Sequence, residues 1–168
     1  MKSSKLKRSI ALSLPLVAAN SMATELAVKV QLPKLDAAEY HKPYVAFWIE
    51  KEDHSFSNNL GIWYNPPKGD KWLKDVRQWW RQSGRDLTLP LDGLSSPTRG
   101  PGEYDLKFTN AEINQLPAGQ YQLVVEAARE HGGREVVRVP FQLPAKAGQI
   151  YSGKGTEELG AISLQLKR

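Results

Sequence analysis

The feature that most narrows the fold is a hydrophobic pattern with a period of two, broken at short intervals by proline and glycine. Leu26, Val28, Val30 and Leu32 alternate with Ala27, Lys29 and Gln31, and Pro33 closes the segment. Alternation of this kind puts one set of side chains on each face of a strand. Tyr44-Val45-Ala46-Phe47-Trp48-Ile49 is instead continuously apolar, as expected of a central strand covered on both faces. Leu60, Ile62 and Tyr64 alternate again and stop at Asn65-Pro66-Pro67-Lys68-Gly69. Further strands are expected over 104–108, 121–128, 137–143 and 162–166. Two of them open alike, as Gly102-Glu103-Tyr104-Asp105-Leu106 and Gly119-Gln120-Tyr121-Gln122-Leu123, each after a proline. The echo suggests two strands entering one sheet edge from a turn.

One stretch changes period. Trp72, Leu73, Val76, Trp79 and Trp80 recur at helical spacing, with Lys74, Asp75, Arg77, Gln78 and Arg81 on the other face. The spacing predicts one amphipathic helix of about three turns over about 71–82, with Asp70 as N-cap and Gly84 just past its end. From 85 to 101 no period holds, and the stretch reads as a long loop of the functional or mobile kind. About seven short strands and one inserted helix favour a mainly β fold, an immunoglobulin-like antiparallel β-sandwich forming a single domain over 24–168.

Charge first suggests a polyanion binder, since the chain of 168 residues carries a net +5. Lys2, Lys5, Lys7 and Arg8 supply four of those charges within 1–23. They precede an apolar run from Ile10 to Ala19 and the small residues of Ser21-Met22-Ala23. A basic start, a run too short to span a bilayer and a small-residue site form the pattern of a secretory signal peptide cleaved after Ala23. Residues 24–168 then hold 19 basic and 18 acidic side chains. No overall basic footprint remains for nucleic acid. The expectation is a periplasmic protein without a membrane span after cleavage.

Little in the chain resembles catalytic machinery. Absence of cysteine removes disulfides, thiolate metal sites and thiol nucleophiles. His41, His54 and His131 show no metal-ligand spacing, so no metal is expected. No nucleophile–base pair or phosphate loop can be named, and an enzyme is not expected. Ser152-Gly153-Lys154-Gly155 lacks the spacing and following helix of a phosphate loop and reads as a turn. The densest polar cluster is Glu126-Ala127-Ala128-Arg129-Glu130-His131-Gly132-Gly133. As a hairpin, it would use Gly132-Gly133 for positive φ and pair Arg129 with a carboxylate. As a functional cluster, Glu126, Glu130 and His131 would handle protons or a metal; as a binding surface for a partner, Arg129 joins them. The five tryptophans allow two readings as well: core anchors, or a platform on which sugar rings stack.

The stretches Pro43-Tyr44-Val45-Ala46-Phe47-Trp48-Ile49-Glu50, Trp72-Leu73-Lys74-Asp75 with Trp79-Trp80-Arg81, Pro101-Gly102-Glu103-Tyr104, 126–133 and Glu158-Leu159-Gly160-Ala161-Ile162-Ser163-Leu164 occur together in this order. In this the chain resembles a bacterial family described as predicted periplasmic protein, whose function is unknown. The resemblance implies a periplasmic location and genes beside flavin transferases of the ApbE type and membrane proteins with PepSY domains. By association it implies extracytosolic electron transfer or metal uptake and a periplasmic or membrane protein partner.

The same resemblance gives one segment chemical content. Transferases of that type attach FMN through its phosphate to a threonine or serine in a pattern resembling Asp-x-x-Ser/Thr-Gly-Ala-Thr/Ser. Asp92-Gly93-Leu94-Ser95-Ser96-Pro97-Thr98 occupies the corresponding place, which implies Thr98 as the attachment residue with Asp92 and Ser95 as recognition elements. Arg99 adds a cation for a phosphodiester. Ser96-Pro97 stands where the pattern has Gly-Ala; proline fixes φ and removes an N–H, which opposes binding in a transferase site. The sequence thus favours an accessory or binding protein without cofactor. A covalent-FMN electron carrier is the alternative, and a carbohydrate-binding sandwich the second.

Overall fold

The computed structural model describes residues 24–109 and 112–167. The expected signal segment and its cleavage point lie outside them. Among the described residues, β1 (Glu25–Leu32), β2 (Tyr44–Lys51), β3 (Phe56–Trp63), β4 (Ser95–Ser96), β5 (Gly102–Phe108), β6 (Gly119–Ala128), β7 (Arg134–Leu143), β8 (Ile150–Lys154) and β9 (Ala161–Lys167) form two sheets. One has the order β5-β1-β9-β8 and the other β4-β3-β2-β6-β7. The pairings are antiparallel except β3 with β4.

The alternating side chains fill the space between the sheets. Leu26, Val28, Val30 and Leu32 of β1 join Ile162 and Leu164 of β9 against Val45, Phe47, Ile49, Leu123, Val125, Val139 and Phe141. A slip of one residue would turn each of these sets outward, so burial fixes the register. The mainly β sandwich expected from the alternation is the fold that forms.

A second core lies on the far face of the five-stranded sheet. Tyr44, Ala46, Trp48, Ile62, Tyr64, Val124 and Ala128 pack there against Leu73, Val76 and Trp79. This explains the unbroken apolar run of β2: Tyr44 through Glu50 are buried because both faces of the strand are covered.

The segment covering that face is not one continuous helix. A 3₁₀ turn over Asp70–Asp75 passes into α1 (Arg77–Gln82) through Val76, whose ψ of 72° breaks the helical path. Asp70 makes no capping hydrogen bond; the first turn of α1 is capped from the sheet, by Glu126. Gly84 opens a further 3₁₀ turn beyond the helix, and its Cα lies on the Trp79 ring, where a Cβ would overlap the indole.

Two strands have no hydrophobic signature. β4, within the expected loop of 85–101, is two serines; the Leu94 carbonyl before them and the carbonyl of Ser96 accept the backbone N–H groups of Ile62 and Tyr64. β8 includes the stretch expected to be a turn. Its inward positions are Tyr151 and Gly153, opposite Leu164 and Ile162. A Cβ on Gly153 would stand 3.0 and 3.1 Å from Val139 and Val137, so close packing of β7 empties the position where alternation would be read.

The repeated Gly-x-Tyr-x-Leu starts belong to different sheets, β5 and β6. What they share is a hydrogen bond. The Tyr104 hydroxyl donates to the Gly100 carbonyl at 2.7 Å, and the Tyr121 hydroxyl to the Pro117 carbonyl at 2.8 Å. Each tyrosine ties a strand start to the backbone four residues upstream, the tyrosine-corner device of immunoglobulin-like sandwiches.

Candidate functional site

The acids that could have carried chemistry are largely engaged in holding the fold. Glu126 is fully buried and accepts the backbone N–H groups of Gln78 and Trp79, together with Arg134 Nη1 at 3.0 Å. Glu50, also buried, accepts from Trp48 Nε1, Gln82 Nε2 and Arg138 Nε. Burial opposes its ionisation, but Arg138, Gln82 and Trp48 outweigh that and hold its carboxyl below the usual carboxylate range. Two acids that sequence reading leaves unassigned, Glu50 and Glu158, are thus structural anchors.

The 126–133 cluster divides in the same way. Arg129 donates from Nε and Nη2 to the two oxygens of Glu158, at 3.0 Å each, and its guanidinium lies over Tyr40. Glu158 also accepts the Gly133 N–H at 2.9 Å. The positive φ of the turn falls on His131, at 54°, rather than on the glycines. Gly132 and Gly133 serve close approach instead: a Cβ on either would come within 2.5 Å of the Arg129 guanidinium or the Glu158 carboxylate. Among the described residues, no three histidine or acidic side chains are placed to hold a metal.

The segment after α1 is also divided. Asp92 lines a groove of about 830 Å³ beside β3, with Asn58, Leu60, Leu94 and Phe108. Ser95 Oγ accepts the Leu91 N–H at 3.0 Å. Arg99 stacks on Trp63 and Tyr104, 4.4 and 5.1 Å from their ring centres, and closes the end of the core between the sheets. Thr98 lies apart from Asp92. It lines a cleft of about 220 Å³ with Tyr40, His41, Lys42, Tyr44, Asn65 and Glu130.

That cleft gathers what the sequence separates. Thr98 follows β4, Glu130 sits in the β6–β7 turn, Asn65 follows β3, and 40–42 precede β2. His131 borders it through edge contacts with His41 and Trp72, at centroid distances of 5.9 and 6.2 Å. Burial raises the hydroxyl pKa of both Tyr40 and Tyr44; Glu130 adds to the shift of Tyr44. Both phenols therefore stay neutral donors near neutral pH. Among the described residues, no histidine or carboxylate is hydrogen-bonded to the Thr98 hydroxyl. Tyr40, His41, Lys42 and Asn65 carry no periodic or motif signal, so only the topology reveals them.

The core reading holds for three of the five tryptophans. Trp48, Trp63 and Trp79 are buried, and Trp72 and Trp80 are half-buried against the second core.

Fold and site together define a two-sheet β-sandwich with a covering helical segment and a polar cleft at one end. The chain belongs to the family described as Predicted periplasmic protein (DUF2271), whose model matches residues 25–161. No curated protein and no solved structure matches it. Among the described residues no helix is long and apolar enough to cross a membrane.

Proposed function

We propose that this is a non-catalytic periplasmic accessory or binding protein, working through the end cleft beside an extracytosolic flavin-dependent electron-transfer or metal-uptake system. The observation that carries the reading is the meeting of Thr98, Glu130 and Lys42 from three distant parts of the chain around one small cleft. A hydroxyl, a carboxylate, an ammonium and two neutral phenols offer hydrogen bonds and charge to a polar ligand or partner segment. Glu50, Glu126 and Glu158, the buried acids nearest the hairpin and helix, are occupied by arginines and backbone N–H groups, which favours binding over acid–base work. The same reading has the chain exported and cleaved after Ala23. Protein taken from its own host should begin at Thr24, and a start at Met1 overturns export by cleavage.

A second reading makes Thr98 the attachment point of covalent FMN. In its favour, β4 is a two-residue strand at the edge of its sheet, held by Ile62 N–H to the Leu94 carbonyl at 2.8 Å and Tyr64 N–H to the Ser96 carbonyl at 2.9 Å. Leu94 on one side packs against the second core and Arg99 on the other stacks on Trp63 and Tyr104, so both contacts must release before the segment enters a transferase site. Lys42 lines the same cleft as Thr98 and supplies a cation for a phosphodiester. Co-expression of the full-length protein with a flavin transferase, followed by intact mass and visible absorbance, separates the two. Colourless protein of unmodified mass supports the accessory role. A flavin mass lost in Thr98→Ala overturns it in favour of the carrier.

A further inference from the structure

The near balance of 19 basic and 18 acidic residues over 24–168 conceals one uneven stretch. Lys68, Lys71, Lys74, Arg77, Arg81 and Arg85 follow one another at intervals of three, three, three, four and four residues. Intervals of three keep side chains on one face of a 3₁₀ turn, and intervals of four do so on an α-helix. The interval lengthens just after the 3₁₀ turn of Asp70–Asp75 gives way to α1. Lys71 and Lys74 therefore share a face of the 3₁₀ turn, and Arg77 and Arg81 share a face of α1.

All six are exposed, while Leu73, Val76 and Trp79 hold the opposite face of the segment against the sheet. With Asp70, Asp75 and Asp86 counted, residues 68–86 carry +3 and the rest of 24–168 carries −2. Arg85 has a carboxylate close by, Asp86 at 3.7 Å. Among the described residues the other five cations make no ion pair. Lys71 rests on the Trp72 ring, 4.9 Å from its centre, and Trp72 and Trp80 flank the cations half-buried.

We infer that this basic ridge is a docking surface for an anionic phospholipid bilayer. The ridge stands on the outside of the sheet, and none of its six cations lines the end cleft or the groove beside β3. A flat layer of phosphate headgroups can meet several exposed cations of one covering segment at once. Flanking indoles suit the boundary between headgroups and water. The apolar face of the segment is already spent on the second core, so attachment is electrostatic, reversible and screened by salt.

The test is co-sedimentation of the purified protein with phosphatidylcholine vesicles, with and without phosphatidylglycerol. Binding is expected on the anionic vesicles at low salt and is expected to vanish at about 0.5 M salt. Each cation near an anionic surface strengthens partition about fivefold, so Lys74→Glu with Arg81→Glu should weaken it about 25-fold or more. Lys146→Glu with Lys154→Glu makes the same charge change at exposed positions elsewhere and should leave partition within about threefold. Melting curves for both variants confirm that each is folded. Equal loss in the two variants, indifference to phosphatidylglycerol, or binding that survives high salt overturns the proposal. So does capture by soluble polyglutamate with no uptake on vesicles, which would mark an acidic protein as the partner.

Discussion

The Glu126 carboxylate, on β6, accepts the backbone N–H of Trp79, in the first turn of α1, at 2.9 Å across the interface between sheet and helix. The Gln78 N–H reaches the same carboxylate at 3.0 Å. The first N–H groups of a helix have no partner within it, and this six-residue helix carries no side-chain cap of its own. A residue 47 positions away therefore does the capping, and it fixes where the helix sits on the sheet. Glu126→Ala should cost about 3–5 kcal/mol, because it leaves two buried N–H groups and Arg134 without their acceptor. Glu126→Gln retains one acceptor oxygen and should cost less, about 1–3 kcal/mol. Urea denaturation measures both, and equal losses would show that the oxygen retained by glutamine contributes nothing and that the charge and second oxygen carry the whole effect.

Trp79 is, with Trp48, one of two fully buried tryptophans of the second core. Its indole N–H donates to Asn59 Oδ1 at 2.8 Å, so the ring is held by both packing and a polar bond to β3. Trp79→Ala should lower stability by about 3–5 kcal/mol. Gly84→Ala tests the opposite fault at the same place, since the added methyl would overlap the indole. Overpacking of this kind costs about 1–3 kcal/mol. A melting temperature unchanged in Gly84→Ala would mean that the 3₁₀ turn moves aside freely.

How far the sequence discloses this arrangement depends on whether a residue's role is local. Strands β1, β2, β5, β6 and β9 are legible because burial on one or both faces writes a period into the chain. Leu73, Val76 and Trp79 are legible for the same reason. β8 is hidden because its inward residue is Gly153, chosen by the approach of Val137 and Val139 from another strand. Asp70 looks like a cap because it precedes the helix, but the cap comes from β6, and no local rule could indicate that. The cleft is hidden most completely: Tyr40, Lys42, Asn65, Thr98 and Glu130 meet only after two sheets have formed.

Two carboxylates make the fold sensitive to acid. Burial opposes ionisation of Glu50, yet bonds from Arg138, Gln82 and Trp48 depress its pKa below the ordinary 4.5. Burial likewise opposes ionisation of Glu135, which is depressed by the backbone N–H groups of Thr156, Leu159 and Glu157. A group with a lower pKa in the folded state stabilises fully above its unfolded value and loses that contribution as pH falls through the folded one. Stability should therefore hold from neutrality down to about pH 4.5 and decline below it. Glu50→Gln should be less stable than the parent at neutral pH, and the gap should close as the pH drops below 4.5. Urea titrations at several pH values measure the gap; a constant difference would remove Glu50 from the acid transition.

The β6–β7 turn positions Glu130 at the cleft, and the Arg129–Glu158 pair positions the turn. Its side chains are 10% and 4% exposed, and both guanidinium bonds are 3.0 Å. A buried, two-pronged pair of this kind is costly to break from one side. Glu158→Ala should cost about 3–5 kcal/mol, since it strands Arg129 and frees the Gly133 N–H as well. Gly132→Ala is the more informative change, because it leaves both charges in place and pushes the guanidinium sideways. It should cost about 1–3 kcal/mol. It should also displace the resonances of Tyr40, which lies under the guanidinium, and of Glu130 next in the chain, while those of β1 and β9 stay fixed. Shifts spread evenly through both sheets would mean that the pair supports the whole sandwich rather than the end that bears the cleft.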